Sequence, residues 1–291
     1  QQESSGARYY DKNGGEKDVL DILKENGFNW IRLRLFVDPT AEHGYSREGF
    51  CGLEQTIAMA KRIKAAGMKF LLDFHYSDTW ADPGKQFISA SWAQSSGSGL
   101  EGQIYRYPKE TIERFIQEGV TPDMVQTGNE INHGMLWPQG KIEDSYMSFG
   151  VLLRCASAGV RAADPGIKIM VHIACGGQNE ESVRFLDKII SRDVKFDVIG
   201  QSYYPQWHGT LEDLRNNLAD LAVRYGKPIV VVEYQEHIKE VNEIVKGLPD
   251  QLGLGTFIWE ATSPQWGNLF GKDGKVNERM DFYPGFVSTY E

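Results

Sequence analysis

Apolar, strand-like runs alternate with helix-like segments along almost the whole of this chain of 291 residues. The runs are apolar on successive residues, which is typical of strands that are buried on both faces of a parallel sheet. Such a repeat predicts parallel strands that are joined by crossover helices. The seven predicted strands are Trp30–Phe36, Lys69–His75, Met124–Glu130, Ile167–Ile173, Phe196–Tyr203, Ile229–Glu233 and Gly255–Glu260.

Helix-like patterns precede and separate these strands. Gly27, Gly67 and Gly226 follow apolar-periodic segments at the position where a helix often ends in a left-handed residue. No linker or change of composition divides the chain, so we expect one domain over residues 1–291. The predicted helices are Glu16–Glu25, Leu53–Ala66, Lys109–Glu118, Ser145–Ala163, Glu180–Ser191, Leu211–Tyr225 and Ile238–Leu248.

The repeat predicts a (β/α)8 TIM barrel that lacks one strand. Such a barrel has eight strands and about 250 residues, whereas this chain shows only seven strand-like runs. Residues 1–15 are polar and glycine-rich, so the first strand is expected to be missing from an N-terminus that has been processed or cut. An open doubly wound sheet is the alternative, but neither common glycine-rich phosphate loop follows any strand.

The composition disfavours several classes of function. A formal net charge of −9 argues against nucleic-acid binding, which needs basic patches, and mildly against polyanionic substrates. No apolar run approaches the length of a transmembrane helix. Cys51, Cys155 and Cys175 form no CxxC pair, which indicates neither a disulfide framework nor a zinc site. Neutral ligands are favoured.

Two of the predicted strands end in a glutamate. Glu130 ends the run that begins at Met124, and Glu233 ends the run Ile229–Glu233. The C-terminal ends of barrel strands carry the chemistry of this fold. Two carboxyl groups there suffice to cleave a glycosidic bond, with one protonating the leaving oxygen and the other opposing the developing positive charge. The acid should have a raised pKa and its partner should stay ionised.

Polar side chains also end the other strands, which predicts that they converge on one site. Arg34 would keep a neighbouring carboxylate ionised if it points into the pocket. Asn129 could bind a sugar hydroxyl, Tyr203 could orient the nucleophile, and Trp259 could form the floor of the cleaved subsite. The strand-end residues are Arg32, Arg34, Asp73, His75, Asn129, Glu130, His172, Tyr203, Glu233, Trp259 and Glu260.

The predicted strand-to-helix loops are long and rich in aromatic residues, above all between Tyr76 and Pro108. Long loops at one end of a rigid scaffold commonly form the functional end. Aromatic faces favour stacking on sugar rings, although any one of them could instead pack its loop against the barrel. These residues are Trp80, Trp92, Tyr105, Tyr107, Trp137, Trp207 and Trp266.

Five segments resemble glycoside hydrolase family 53, and the similarity runs from about Tyr9 to Phe270. DFHYSDTWADPGKQ, within the segment that ends at Gln86, is the most specific of them. The resemblance implies a retaining (β/α)8 barrel of clan A with endo-β-1,4-galactanase activity. The segments are IRLRLFVDP (Ile31–Pro39), FLLDFHYSDTWADPGKQ (Phe70–Gln86), GNEINHGMLWPQG (Gly128–Gly140), SYYPQWHGTL (Ser202–Leu211) and GTFIWE (Gly255–Glu260).

The resemblance implies Glu130 as the acid/base and Glu233 as the nucleophile. It also implies a substrate-binding shell of Arg34, His75, Asp78, Trp80, Asn129, Tyr203, Trp207 and Trp259. No cofactor is expected for catalysis. The segment Tyr234–Leu252 is short beside family members that carry a calcium-binding loop there, so a structural calcium is an open expectation.

The leading hypothesis is a retaining endo-β-1,4-galactanase that hydrolyses the neutral galactan side chains of pectin. The alternatives are a clan relative that cleaves another β-linked polymer such as mannan or glucan, a non-catalytic sugar-binding barrel, and a metal-dependent hydrolase. The metal-dependent alternative would use Asp73, His75 and His172, which lack a paired His-x-His on a first strand. An exported, monomeric enzyme is expected.

Overall fold

The seven strands in the described part of the chain form one parallel sheet, in the order in which they occur along the chain. The computed structural model describes residues 1–263 and 268–287. Each predicted strand is present, with ends shifted by a few residues. The strands are β1 (Trp30–Leu35), β2 (Lys69–Phe74), β3 (Met124–Thr127), β4 (Lys168–Ile173), β5 (Val198–Ser202), β6 (Ile229–Tyr234) and β7 (Gly253–Ile258).

Helices connect successive strands, as a parallel sheet requires. The predicted stops at Gly27, Gly67 and Gly226 are confirmed, since all three have φ between 56° and 94°. No helix in the described part of the chain is long and apolar enough to span a membrane. The helices are α1 (Val19–Glu25), α2 (Leu53–Ala65), α3 (Gly97–Gln117), α4 (Tyr146–Ala163), α5 (Asn179–Ser191), α6 (Pro205–His208), α7 (Leu211–Tyr225), α8 (Ile238–Lys246) and α9 (Pro284–Val287).

Helix α3 begins twelve residues before its predicted start at Lys109. Its first turns are glycine-rich and it contains Pro108, and both features disfavour helix. Packing against α4 overrides them. Gly159 of α4 lies so close that a Cβ there would sit 2.2 Å from the carbonyl oxygen of Tyr105 and 3.0 Å from the Pro108 ring.

The two outer strands of the sheet are only partly covered. Every residue of β6 is buried, whereas five of the six residues of β1 and of β7 are not fully buried. Within the described residues no hydrogen-bonded ladder joins β7 to β1. The sheet is therefore a barrel wall that is interrupted at one place, between its first and last strands.

A small apolar cluster inside the wall supports the site above it. It lies apart from the main core, which packs between the sheet and the helices. Because side chains alternate along a strand, the residues two positions beyond three cluster members also face inward, nearer the carboxyl ends. They are polar: Asp73, Gln126 and His172. The cluster consists of Leu71, Met124, Met170, Val198, Val230 and Val232.

Candidate active site

Glu130 and Glu233 meet at the carboxyl end of the sheet. Glu130 follows β3 and Glu233 lies in β6, and both residues are buried, at 9% and 4% exposure. One carboxylate oxygen of each lies within 4.8 Å of the other and of a ring nitrogen of His172. Two carboxyl groups at this separation can act on the same bond.

The turn that carries Glu130 has an uncommon backbone conformation. Gly128 and Glu130 have φ values of 88° and 50°, and a residue other than glycine in this region costs about 1 kcal/mol or more. The Gln86 amide holds the turn, since its Nε2 donates to the carbonyl oxygens of Asn129 (2.8 Å) and Glu130 (3.3 Å). The turn ends β3 early and aims Glu130 across the barrel.

The Glu130 carboxyl group is buried and has one hydrogen bond from the protein. Ser202 Oγ donates to its Oε1 at 2.7 Å. Burial raises the pKa of Glu130 well above its usual value, and the nearby Glu233 raises it further, while Ser202 opposes the shift. A carboxyl group of this kind keeps its proton near neutral pH, as a general acid must.

Glu233 has donors on both carboxylate oxygens. Arg32 Nη1 donates to Oε1 at 2.7 Å, and Tyr204 OH donates to Oε2 at 3.2 Å. A bulge shifts the register beside it, because Gln201 pairs with Val231 whereas the next residue, Ser202, pairs with Glu233. Bulges of this kind re-aim side chains next to active sites, and here the bulge brings Glu233 beside Ser202.

Arg32 links the two halves of the site. Besides Glu233, its guanidinium donates to Asp73 Oδ2 (2.9 Å), Asn129 Oδ1 (2.6 Å) and Gln126 Oε1 (3.1 Å). Burial alone would raise the pKa of Asp73, but Arg32 and then His75 outweigh it and hold that pKa at about 2. Asp73 is therefore an anion that fixes Arg32, and Arg32 in turn fixes Glu233 and Asn129.

The histidines in this region are engaged by protein groups. His75 Nδ1 accepts from the Ala81 N–H (3.0 Å) and its Nε2 lies 3.0 Å from Asp73 Oδ2. His172 Nε2 lies 2.8 Å from Ser202 Oγ, and Glu233 faces a guanidinium. The potential metal ligands Glu130, His172 and Glu233 thus face hydrogen-bond partners and a cation, and we assign no metal to them.

A second ion pair lies at the rim of the site. Arg34 Nη1 donates to Glu260 Oε1 at 2.6 Å, and both side chains are about one-fifth exposed. The Arg34 guanidinium carbon lies 4.1 Å from the centre of the Trp80 ring and 5.4 Å from that of Trp259. The Trp80 and Trp259 rings also contact each other, with centres 5.6 Å apart, so these four groups form one partly charged cluster.

Comparisons with known proteins show the family to which the chain belongs. The model of glycosyl hydrolase family 53 matches residues 1–239. The chain belongs to this family. Its residues are 40% identical to an uncharacterized protein of Niallia circulans, covering 96% of this chain and 89% of that protein. They are 34% identical to the arabinogalactan endo-β-1,4-galactanase of Humicola insolens, covering 91% and 86%.

A solved structure shows the same fold. The family 53 catalytic domain of Ignisphaera aggregans superposes with a TM-score of 0.89 at 34% identity, covering 97% of this chain and 92% of that one. The prediction of a TIM barrel with seven of its eight strands is thereby confirmed, and membership of family 53 makes the protein a glycoside hydrolase.

Two residues of the expected family 53 shell have other contacts in the structure. Tyr203 was expected to orient the nucleophile, but its hydroxyl donates to the Gly209 carbonyl (3.1 Å), and Tyr204 contacts Glu233 instead. The two side chains point to opposite sides of an extended segment, which explains the exchange. Both Asp78 oxygens accept backbone N–H groups, from Asp38 and Ala90, so this carboxylate ties two loops together.

Arg34 was expected beside a carboxylate, and it has one at the rim of the site. The carboxylate that it pairs with is Glu260, while Arg32, two residues earlier, holds Glu233. His75 supports Asp73 from below the rim, and Asn129 keeps one amide hydrogen beyond its bond to the Ala81 carbonyl (2.8 Å).

The loop aromatics separate into two groups. Trp207 is 67% exposed and its ring centre lies 5.7 Å from that of Tyr204, so it can stack on a ligand. Trp92 is buried and packs on Tyr107. Tyr105 and Tyr107 belong to α3, contrary to their prediction as loop residues. Trp80 and Trp137 are half-buried, and Trp266 lies outside the described residues.

Sequence reasoning missed four residues of the site: Gln86, Gln126, Ser202 and Tyr204. Gln126 lies two residues beyond the cluster member Met124, and Ser202 lies four beyond Val198, so alternation from the apolar layer could have found both. Gln86 and Tyr204 reach the site through the conformation of their loops, and loop conformation leaves no periodic signal in the sequence.

Proposed function

We propose that this protein is an endo-β-1,4-galactanase that hydrolyses its substrate with retention, with Glu130 as acid/base and Glu233 as nucleophile. The observation that carries the proposal is the pair of carboxyl groups in opposite surroundings, of which one oxygen each lies within 4.8 Å of the other. Retaining enzymes place these groups about 5–5.5 Å apart, whereas inverting enzymes need a wider gap for water.

The different surroundings of Glu130 and Glu233 suit the two carboxyl groups to different roles. Glu130 accepts one neutral hydrogen bond and has a raised pKa, which suits a proton donor. Glu233 is bound by the Arg32 guanidinium and by Tyr204, which compensate its charge and fix its orientation for attack.

The reaction then runs in two steps. Glu233 attacks the anomeric carbon, the glycosidic C–O bond breaks, and Glu130 transfers its proton to the departing oxygen. In the second step Glu130 takes a proton from water, the water oxygen bonds to the anomeric carbon, and the bond to Glu233 breaks. Two carboxyl groups and water supply every proton and electron pair, so no cofactor has a step.

The substrate-binding shell follows from the side chains around this pair. Trp259 and Trp80 offer apolar ring faces beside Arg34, Asn129 offers an amide hydrogen, and exposed Trp207 offers a stacking face one step further out. His75 and Asp78 position these groups from behind, and Tyr203 supports the loop that carries Tyr204.

The substrate is proposed to be neutral β-1,4-galactan. Relatives named arabinogalactan endo-β-1,4-galactanase, among them the one from Humicola insolens, and the net charge of −9 both favour it over a charged pectin backbone. Because such a polymer is met outside the cell, we propose an exported enzyme, and we propose that it acts as a monomer.

The test is a time course of products from β-1,4-galactan, with mannan and a soluble cellulose derivative in parallel. A broad series of early oligosaccharides from galactan alone supports endo-galactanase action, whereas faster release from mannan or glucan overturns the substrate. Proton NMR of the first product tests retention, because the β anomer must appear before mutarotation.

Two variants test the roles of the carboxyl groups. Glu130→Ala and Glu233→Ala should each lose most activity, and azide should restore turnover through different products. Azide replaces the deglycosylating nucleophile in Glu130→Ala and gives a β-galactosyl azide, whereas it attacks directly in Glu233→Ala and gives the α anomer. The reversed products would exchange the roles, and retained hydrolysis in both would exclude them.

A further inference from the structure

A short chain of buried hydrogen bonds lies behind Glu130. Ser202 Oγ lies 2.7 Å from Glu130 Oε1 and 2.8 Å from His172 Nε2. Ser202 and His172 are fully buried. Because neither side chain is exposed, the chain can act on substrate only through Glu130.

The neighbours of His172 fix the direction of this chain. Gln126 Nε2 lies 3.0 Å from His172 Nδ1, and the Glu130 N–H donates to the same nitrogen at 3.3 Å. Asn129 Oδ1 also lies 3.1 Å from this nitrogen, but it already accepts from Arg32, and the backbone N–H of Glu130 can only donate. Nδ1 therefore carries a lone pair, and Nε2 carries the hydrogen. Burial, then the charge of Arg32, lowers the pKa of His172 well below its usual value, which keeps the ring neutral.

With the histidine fixed, the serine hydroxyl has one orientation. His172 Nε2–H donates to Ser202 Oγ, so the Ser202 hydrogen points to Glu130 Oε1. Glu130 Oε1 therefore accepts a hydrogen bond from Ser202, and it cannot also carry the proton of Glu130 in the same direction. The other oxygen of Glu130, Oε2, has no hydrogen-bond partner among the described residues.

We propose that His172 and Ser202 are positioning residues that assign the catalytic proton of Glu130 to Oε2. The proposal rests on the proposed function of Glu130 as acid/base. A proton held on one defined oxygen is already aimed for transfer, and after transfer the same hydroxyl stabilises the carboxylate that remains.

The charges around Glu130 make the Ser202 hydroxyl important for the ionisation of Glu130. Glu233 and Asp82 both disfavour its ionised form, and Arg32 favours that form. Tyr204 lies near both glutamates and its own pKa is raised by burial and by their charges, so it stays neutral. Ser202 is the described side chain that donates a hydrogen bond directly to the Glu130 carboxyl group.

The first test is the pH dependence of kcat/KM. Glu130 must be protonated to act, so activity falls on the alkaline side as it ionises. Ser202→Ala removes the donor that favours ionisation, and the alkaline limb should move to higher pH. Ser202→Thr keeps a hydroxyl and should return the limb toward its original position. A limb that does not move in Ser202→Ala overturns the proposal.

Ser182→Ala is the matched control. Ser182 is also fully buried, but it donates to the Cys175 carbonyl at 3.2 Å and does not touch Glu130. Its loss should leave the alkaline limb in place. An equal shift in Ser182→Ala and Ser202→Ala would show a general packing effect and refute the specific role.

Two variants of His172 test the hydrogen bond between His172 and Ser202. His172→Gln places an amide donor where Nε2 stands, whereas His172→Asn reaches only the Nδ1 side and leaves Ser202 free to rotate. The asparagine variant should shift the alkaline limb and lower kcat more than KM changes, and the glutamine variant should restore most of both. If the alkaline limb of the pH profile lies at the same pH in both variants, this result counts against the proposal.

Spectroscopy on the unmodified protein needs neither folding of a variant nor hydrolysis. Nitrogen-15 NMR of histidine should show His172 as the neutral tautomer with its hydrogen on Nε2 between pH 5 and 8. A hydrogen on Nδ1, or a charged ring, overturns the proposal. If galactan is not hydrolysed, the proposed function fails, while this spectrum and a carbon-13 titration of Glu130 in Ser202→Ala still report on the chain.

Discussion

Arg32 is the residue whose replacement should reveal most about how the barrel interior is held together. Its side chain is 7% exposed and it pairs with Asp73 at 2.9 Å and Glu233 at 2.7 Å, whose side chains are 0% and 6% exposed. Arg32→Met keeps much of the volume and removes the charge, which leaves two carboxylates buried without their cation. Breaking a buried pair in this way costs about 3–5 kcal/mol.

That cost is large against the stability of a domain, which is about 5–15 kcal/mol in total. For a chain of this size we expect the unfolding midpoint to fall by roughly 6–10 °C. Urea unfolding followed by tryptophan fluorescence and by circular dichroism measures the loss. Arg224→Met is the matched control, because its pair with Asp220 is a half-exposed contact within one turn of α7, and such pairs contribute little to stability.

The pH dependence of stability distinguishes the loss of the Arg32 charge from a loss of packing. Arg32 and His75 hold the pKa of Asp73 at about 2 in the folded protein, against about 3.9 in an unfolded chain. A lowered pKa stabilises the fold above the unfolded value, and this contribution is lost as pH falls toward 2. Without Arg32 the burial of Asp73 dominates, so the variant should lose least at low pH and most near neutrality. A loss below about 1 kcal/mol, or one that grows on acidification, would refute the reasoning.

Three further predictions use other parts of the site. Glu130→Gln should raise the unfolding midpoint near pH 7 but should not raise it below about pH 4. The raised pKa of Glu130 destabilises the fold only at a pH where this group is deprotonated in the unfolded chain. An equal or lower midpoint near pH 7 contradicts this prediction. Trp207→Ala, at a 67% exposed position, should raise KM for long oligosaccharides about tenfold with little change in kcat or stability, and an unchanged KM would exclude stacking. EDTA should leave the unfolding midpoint unchanged if the short segment Tyr234–Leu252 binds no calcium, and a fall that calcium reverses would show a bound ion.

The strand order and the two glutamates were predictable because both leave a local signal. Continuous apolar runs mark strands that are buried on two faces, and Glu130 and Glu233 each end such a run. The early start of α3 was not predictable, since Pro108 and the glycines at its beginning argue against helix locally. The close approach of Gly159 decides it, and that contact exists only once α3 and α4 have packed.

The partners of the strand-end residues were harder to predict than their presence. Arg32 and Arg34 are both strand-end arginines, and nothing local says which one meets Glu233. The answer depends on the register between β5 and β6, where a bulge moves Glu233 by one residue. The same limit explains why Tyr203 was expected at the nucleophile and Tyr204 lies there.

The proposed division of labour between the glutamates agrees with the number of charges inside the barrel. Among the described residues Arg32 is the arginine that reaches this interior, and it already faces two carboxylates, Asp73 and Glu233. Arg34 is neutralised at the rim by Glu260, and His172 is kept neutral by burial. A third negative charge at Glu130 would have no cation left to offset it, so the buried site favours a proton there. The negative charge that Arg32 cannot also balance thus favours Glu130 as the proposed acid. Adding a cation near Glu130 should abolish its function as an acid before it disturbs the fold.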